Sequence, residues 1–171
     1  YKDKVYEPAV YPDGSWDEWV DELVEDTVFE REEGMLLTGK AGTGKTTFVR
    51  RLCKLVEERL GGGGGGSPVL RLAPTNKAAI LIDGMTIDKF FGSCGDNVFS
   101  KDVKKEMLGK GVRVVVVDEG SMVGENSWNK LLWLKRSCPG VIFVVVADFH
   151  QCMPVEGTDD PEEGAAVAVV D

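Results

Sequence analysis

The sequence holds no apolar run approaching the ~18 residues that a bilayer-spanning helix requires, so no membrane segment is expected. Its first stretch, Tyr1 to Tyr11, lacks a basic start followed by an apolar core, and no signal peptide is expected. Cysteine is sparse and scattered: Cys53, Cys94, Cys138 and Cys152 form no Cys-x-x-Cys pair. That pattern speaks against a structural zinc site and against a disulfide scaffold. It favours an intracellular, reducing compartment, cytoplasm or nucleus. His150 is the only histidine and Gln151 the only glutamine. A lone histidine is more often structural or surface-exposed than catalytic.

What is present is ordinary globular material. The 171 residues are 43% hydrophobic and 29% charged, enough for one domain with a real core. The net charge of −9 is unevenly spread. Residues 1–33 carry 3 basic and 12 acidic side chains, and residues 156–171 carry 6 acidic and no basic ones. The intervening stretch, 34–155, has 17 basic against 11 acidic residues, a balance of +6. The acidic ends read as solvated faces, while the basic middle permits a polyanionic partner. The organisation expected is an acidic N-terminal helical segment (1–33), an α/β domain (34–155) and an acidic C-terminal segment (156–171).

Ser15-Trp16-Asp17-Glu18 has the form of a capping box, and Trp16, Trp19, Val20, Leu23, Val24 and Val28 recur at helical spacing. A helix is predicted over about 16–31, closed by Gly34. Met35–Thr38 reads as a short strand and Thr46–Leu60 as a helix. Gly61–Gly66 with Ser67 is low-complexity sequence that cannot form regular structure without a large entropic cost. Pro68–Ala73 reads as a strand, with a short helix opened by Pro74-Thr75-Asn76 and running to Ile82. Thr86–Phe91 reads as a helical turn. Val112–Val117 and Val141–Ala147 are the continuous apolar runs of strands buried on both faces, separated by a helix over about 125–136. Ala165–Val170 is a possible last strand. Strands alternating with helices predict a parallel sheet flanked by helices on both faces.

Three elements carry chemistry. Gly39-Lys40-Ala41-Gly42-Thr43-Gly44-Lys45-Thr46 completes the G-x-x-x-x-G-K-[ST] pattern between a predicted strand and helix. Its glycines let backbone N–H groups turn inward around phosphate oxygens, and the helix aims its positive end at the same anion. Gly39, Ala41, Gly42, Thr43, Gly44, Lys45, Thr46 and Thr47 are therefore the expected ATP-binding residues. Lys45 is expected to reach the β- and γ-phosphates, and Thr46 to ligate Mg²⁺ through its hydroxyl. Asp118-Glu119 follows the run Val114–Val117 directly. A carboxylate at a strand's C-terminal end lies where α/β folds bind ligands, so Asp118 is assigned to the metal and Glu119 to the attacking water. A third strand ends in Ala147-Asp148-Phe149-His150-Gln151, where Gln151 is placed to hydrogen-bond the γ-phosphate or the attacking water.

In order and wording, GKAGTGKTT, APTNKAA, TIDKFFG, VVVVDEGSM and ADFHQCMPV resemble the first motor domain of superfamily 1 DNA helicases, nearest the RecD-like and Pif-like group. The likeness covers about residues 34–155. The P-loop is generic to many NTPases; the later motifs are more specific. The resemblance implies a RecA-like P-loop NTPase fold and ATP-driven 5′ to 3′ movement on single-stranded DNA. It implies catalytic roles for Lys45, Glu119 and Gln151, the last as a γ-phosphate sensor. It also implies DNA contacts by Pro74, Thr75, Asn76, Thr86 and Phe90 or Phe91; Lys77 is suited by its charge to track the strand's backbone, or else is an ordinary solvated lysine. The aromatic pair is suited either to stack on bases or, the more common case, to pack in the core, and a helix N-terminus is suited to hold a backbone phosphate.

The pattern also departs from the family. No glutamine precedes the P-loop, Asp88 stands where histidine is usual, and Gly120 replaces an apolar residue. Ala147 replaces a glycine, and Cys152-Met153 replaces Leu-Pro. The second RecA-like domain and its arginine finger lie outside this sequence, so the fragment is expected to bind ATP and hydrolyse it slowly; the sequence leaves the oligomeric state open, with a monomer the default. Two alternatives stand beside this reading: another P-loop phosphotransferase such as a nucleotide kinase, and a non-catalytic nucleotide-gated binding module. A kinase needs an arginine-bearing lid, and after Arg113 the sequence offers only Arg136.

Overall fold

The computed structural model describes residues 16–40, 42–61, 66–92, 107 and 111–148. Five strands form one parallel sheet: β1 (Met35–Thr38), β2 (Val69–Ala73), β3 (Met85–Thr86), β4 (Val114–Val117) and β5 (Ile142–Ala147), in the order β1-β5-β4-β2-β3. The helices are α1 (Trp16–Val24), α2 (Lys45–Leu60), α3 (Asn76–Leu81), α4 (Ile87–Gly92) and α5 (Glu125–Ser137). The register aligns Val114 with Val69 on one side and with Ile142 on the other.

The central strands explain the layering. All four residues of β4 are buried, because both faces of the strand are covered. Val114 and Val116 point into a core shared with Val20, Val24, Phe48, Leu52 and Val56 from α1 and α2. Val115 and Val117 point the other way, into a core with Phe90 and Phe91 of α4 and Leu131 and Leu134 of α5. β-Branched valine suits this place, since its stiff side chain packs on a pleated surface. β1 lies at one edge of the sheet: Met35 and Leu37 pack on the first core, while Leu36 is 57% exposed on the opposite face.

Most predicted elements appear with shifts at their ends. The helix expected over 16–31 is α-helical only to Val24 and continues as a wider π-helical turn over Glu25–Glu30. Val112 and Arg113, read as strand, instead bond Met107 and Pro68 through their amides. The expected turn Thr86–Phe91 divides into the end of β3 and helix α4. The possible strand Ala165–Val170 lies outside the described residues.

The described part of the acidic N-terminal segment, residues 16–33, is not a separate solvated face. Val20, Val24 and Val28 are buried in the first core, so no packing boundary falls at residue 33. Its carboxylates meet cations on neighbouring elements: Arg51 donates to both oxygens of Asp21, Arg59 to Glu25 and Arg113 to Glu32. The Arg51 hydrogen bond holds the Asp21 carboxyl below its ordinary value of 3.8. A depressed carboxylate contributes stability that is present above its unfolded pKa and lost as pH falls through its folded one. Asp21→Asn should therefore lower the thermal midpoint at pH 7, and the difference from the parent should shrink as the buffer is taken from pH 4 toward pH 2. A constant difference in melts across that range would contradict the pairing.

Candidate functional site

The loop between β1 and α2 is shaped by two left-handed glycines, Gly42 (φ 80°) and Gly44 (φ 87°), a conformation that costs a residue with a Cβ roughly 1–2 kcal/mol. Thr43 closes the loop on itself, its amide and hydroxyl both donating to the Lys40 carbonyl, at 3.3 and 2.8 Å. Gly44 is the N-cap of α2 and brings no side-chain cap. The first amides of a 16-residue helix are thus left for an anion to satisfy. Lys45 folds back over this loop: its ammonium donates to the carbonyls of Gly39 and Lys40.

The second wall comes from the ends of β4 and β5. Asp118 is 6% exposed, and its Oδ1 accepts the Glu119 amide at 2.9 Å. Burial pushes the Asp118 carboxyl up from its ordinary value, with the Glu119 amide and the charge of Lys45 pulling the other way. Glu119 is left-handed (φ 51°, ψ 41°), an uncommon state for a non-glycine residue, and it opens a 3₁₀ turn over Gly120–Met122. Gly120 is required by contact: a Cβ there would sit 2.8 Å from Val145 Cγ1 on β5. This close approach of the turn to the sheet accounts for a glycine where an apolar side chain was expected. Asp148, just past β5, is buried with Oδ2 3.6 Å from Lys45 Nζ.

Together these parts enclose a cleft of about 410 Å³, lined by Gly42, Gly44, Lys45, Thr46 and Thr47 on one side and by Asp118, Glu119 and Asp148 on the other. Leu81 and Met122 also line it, both partly exposed. A larger groove of about 530 Å³ runs between α1 and α2, but Asp21 and Glu25 there are already bridged to Arg51 and Arg59. The cleft therefore gathers most of the residues predicted from the two motifs. Ala41 and Gln151 lie outside the described residues. Asp148 and the apolar pair Leu81 and Met122 were not anticipated; the first is foreshadowed only by standing, like Asp118, at the end of an apolar run.

The residues fit a triphosphate with its cation. The backbone cradle and Lys45 offer donors and positive charge. Thr46 and Asp118 offer oxygen donors, the class that Mg²⁺ prefers. Among the described residues no cluster of three or more His, Cys, Asp or Glu is built to hold a metal alone. A cation here must rely on the ligand's phosphates for part of its shell, as Mg²⁺ commonly does.

The residues expected to contact DNA divide. Pro74–Lys77 follow β2 at the same sheet edge as the P-loop, and Asn76 and Lys77 are exposed. Thr75 spends its hydroxyl as the cap of α3, accepting the Ala78 amide at 3.2 Å, and Thr86 accepts the Lys89 amide at 3.1 Å. Phe90 and Phe91 are 2% and 0% exposed, edge to face in the second core. Of the two readings of this pair, core packing is the one the structure shows, and the assignment of Phe90 and Phe91 to base stacking is corrected: the helix seals against the sheet with both rings.

The AAA domain family matches residues 21–160 of the chain. The ATP-dependent DNA helicase RRM3 of Saccharomyces cerevisiae is 29% identical over 158 residues, covering 81% of this chain and 21% of that protein. The ATP-dependent DNA helicase PIF1 of Emericella nidulans is 31% identical over 143 residues, 75% of this chain and 19% of its own length. The RecBCD enzyme subunit RecD of Mycobacterium tuberculosis is 31% identical over 144 residues, 71% and 24% respectively. A crystal structure of Pif1 helicase from Bacteroides, in complex with ADP-AlF3 and ssDNA, superposes with a TM-score of 0.60 at 28% identity, covering 82% of this chain and 34% of that one. The chain thus spans about a fifth of the length of these curated relatives. The RecA-like fold and the likeness to a superfamily 1 motor domain are borne out.

Two substitutions test the acidic wall. A left-handed Glu119 stores about 1–2 kcal/mol that glycine would not, against an entropic cost for glycine of about 0.5–1 kcal/mol. Glu119→Gly should leave the thermal midpoint unchanged or raised, whereas Lys54→Gly, on the exposed face of α2, should cost about 1 kcal/mol. Equal losses at both positions would refute the strain. The raised Asp118 carboxyl means that its ionised form opposes folding once pH exceeds its ordinary value. Asp118→Asn, which keeps the acceptor for the Glu119 amide, should raise the midpoint at pH 7 without added metal. A fall in that midpoint would count against the burial argument.

Proposed function

This chain belongs to the AAA domain family, and we propose on that footing that it is the ATP-binding first motor domain of an ATP-dependent DNA helicase that moves 5′ to 3′ on single-stranded DNA. One observation carries the reading. Lys45 at the start of α2 and the pair Asp118-Glu119 at the end of β4 line one cleft.

In that cleft the loop amides and the α2 terminus bind the phosphates, and Lys45 exchanges its loop carbonyls for β- and γ-phosphate oxygens. Thr46 and Asp118 would hold Mg²⁺, which when bound would neutralise phosphate charge. Glu119, set beside Asp118 by its left-handed backbone, orients the attacking water and takes its proton. An acid placed for water favours a hydrolase over a kinase, whose acceptor is a substrate hydroxyl. Gln151 is proposed as the γ-phosphate sensor. Asn76 and Lys77, exposed beyond β2, are proposed to grip the DNA backbone, with Thr75 and Thr86 shaping the loops rather than touching it.

Lys45 is the one cation lining the cleft among the described residues. An arginine finger, worth roughly 10³–10⁵ in rate, must then come from another domain of the motor. This chain alone should bind ATP–Mg²⁺ and hydrolyse it slowly. Lys45→Ala should weaken ATP binding by at least about tenfold, the worth of a charge-assisted hydrogen bond to phosphate. Titration calorimetry with unchanged affinity would sink the site assignment. Brisk ATPase by the chain alone, accelerated by single-stranded DNA, would sink the requirement for a second domain.

A further inference from the structure

Asp148 plays no part in the reading above, yet its carboxylate is buried at the end of β5, beside the lysine on which phosphate binding depends. A buried carboxylate is costly unless its charge is answered, and here Lys45 answers it at 3.6 Å. The cleft's described lining holds one cation, Lys45, and three carboxylates, Asp118, Glu119 and Asp148. Asp118 is accounted for by the metal and Glu119 by the water. The third carboxylate adds negative charge where the terminal phosphates must sit, and it shares with them a single ammonium.

We propose that Asp148 makes nucleotide binding depend on a divalent cation, by competing for Lys45 and repelling a triphosphate that arrives without metal. The proposal rests on the nucleotide-binding reading of the cleft. A free triphosphate must compete with Asp148 for Lys45, because each anion gains from the same positive charge. A divalent cation brought with the phosphates would offset part of the negative charge they carry, so that Asp148 and the phosphates could flank Lys45 together.

Asp148→Asn keeps the shape and removes the charge. ATP binding by titration calorimetry, with Mg²⁺ and with EDTA, separates the possibilities. The parent chain should bind metal-free ATP at least about tenfold more weakly than ATP–Mg²⁺. Asp148→Asn should tighten metal-free binding by about tenfold, the scale of one charge removed at a few ångströms in a partly solvated site, and change ATP–Mg²⁺ binding by less than about threefold. Asp148→Glu, which keeps the charge, should retain the parent's metal dependence. Equal affinity of the parent chain for both forms would overturn the proposal without any variant. It would also fall if Asp148→Asn weakened both forms, the mark of a merely structural residue, or only ATP–Mg²⁺, the mark of a metal ligand. A parent chain that bound neither form would instead refute the nucleotide reading itself, and the proposal with it.

Discussion

Everything at the site depends on a parallel sheet whose central strands are covered on both faces. Val114–Val117 is buried throughout, so the chain can present polar groups only where the strand stops. Because all neighbours run the same way, β1, β2, β4 and β5 stop at the same edge of the sheet. The P-loop, the Pro74–Lys77 loop, Asp118-Glu119 and Asp148 therefore emerge side by side, though more than a hundred residues separate the first from the last. An antiparallel neighbour would have sent one of these groups to the opposite edge.

The same geometry concentrates cost at that edge. Asp118 is buried, Glu119 is left-handed and Gly120 lies too near Val145 to carry a side chain. Each is locally unfavourable, and each is held by the packing of the 3₁₀ turn on β5. Strain of this sort is common where a side chain must point at a reacting group rather than where its backbone would relax. Among the described residues Lys45 is the one cation lining the cleft, and it faces three carboxylates there, Asp118, Glu119 and Asp148.

The acidic N-terminal helix shows how far charge counting reaches. Its composition suggests a solvated appendage, yet α1 covers one face of the sheet and lies against α2, whose own amino end forms the phosphate cradle. Asp21 on α1, with Glu25 and Glu32 beyond it, meets Arg51, Arg59 and Arg113 respectively, so part of the basic balance of the middle segment is spent inside the molecule. Less of that positive charge is left for a polyanion than the raw count implies.

Much of this was readable in one dimension, because local chemistry fixes it. The apolar runs ending in carboxylates, the glycine spacing around Lys45 and the helical period of α2 each depend on neighbours a few residues away. The fold class and most of the cleft follow from them. Contacts across the sheet were not readable. Nothing near Phe90 and Phe91 in the chain says that both rings join Leu131 and Leu134 in one buried core, and an exposed aromatic pair has the same local pattern as a buried one. Nor does the sequence around Asp148 reveal Lys45, a hundred residues away, as its partner. Such pairings arise from strand order and from which face each helix covers, and those are settled by the packing of the whole domain.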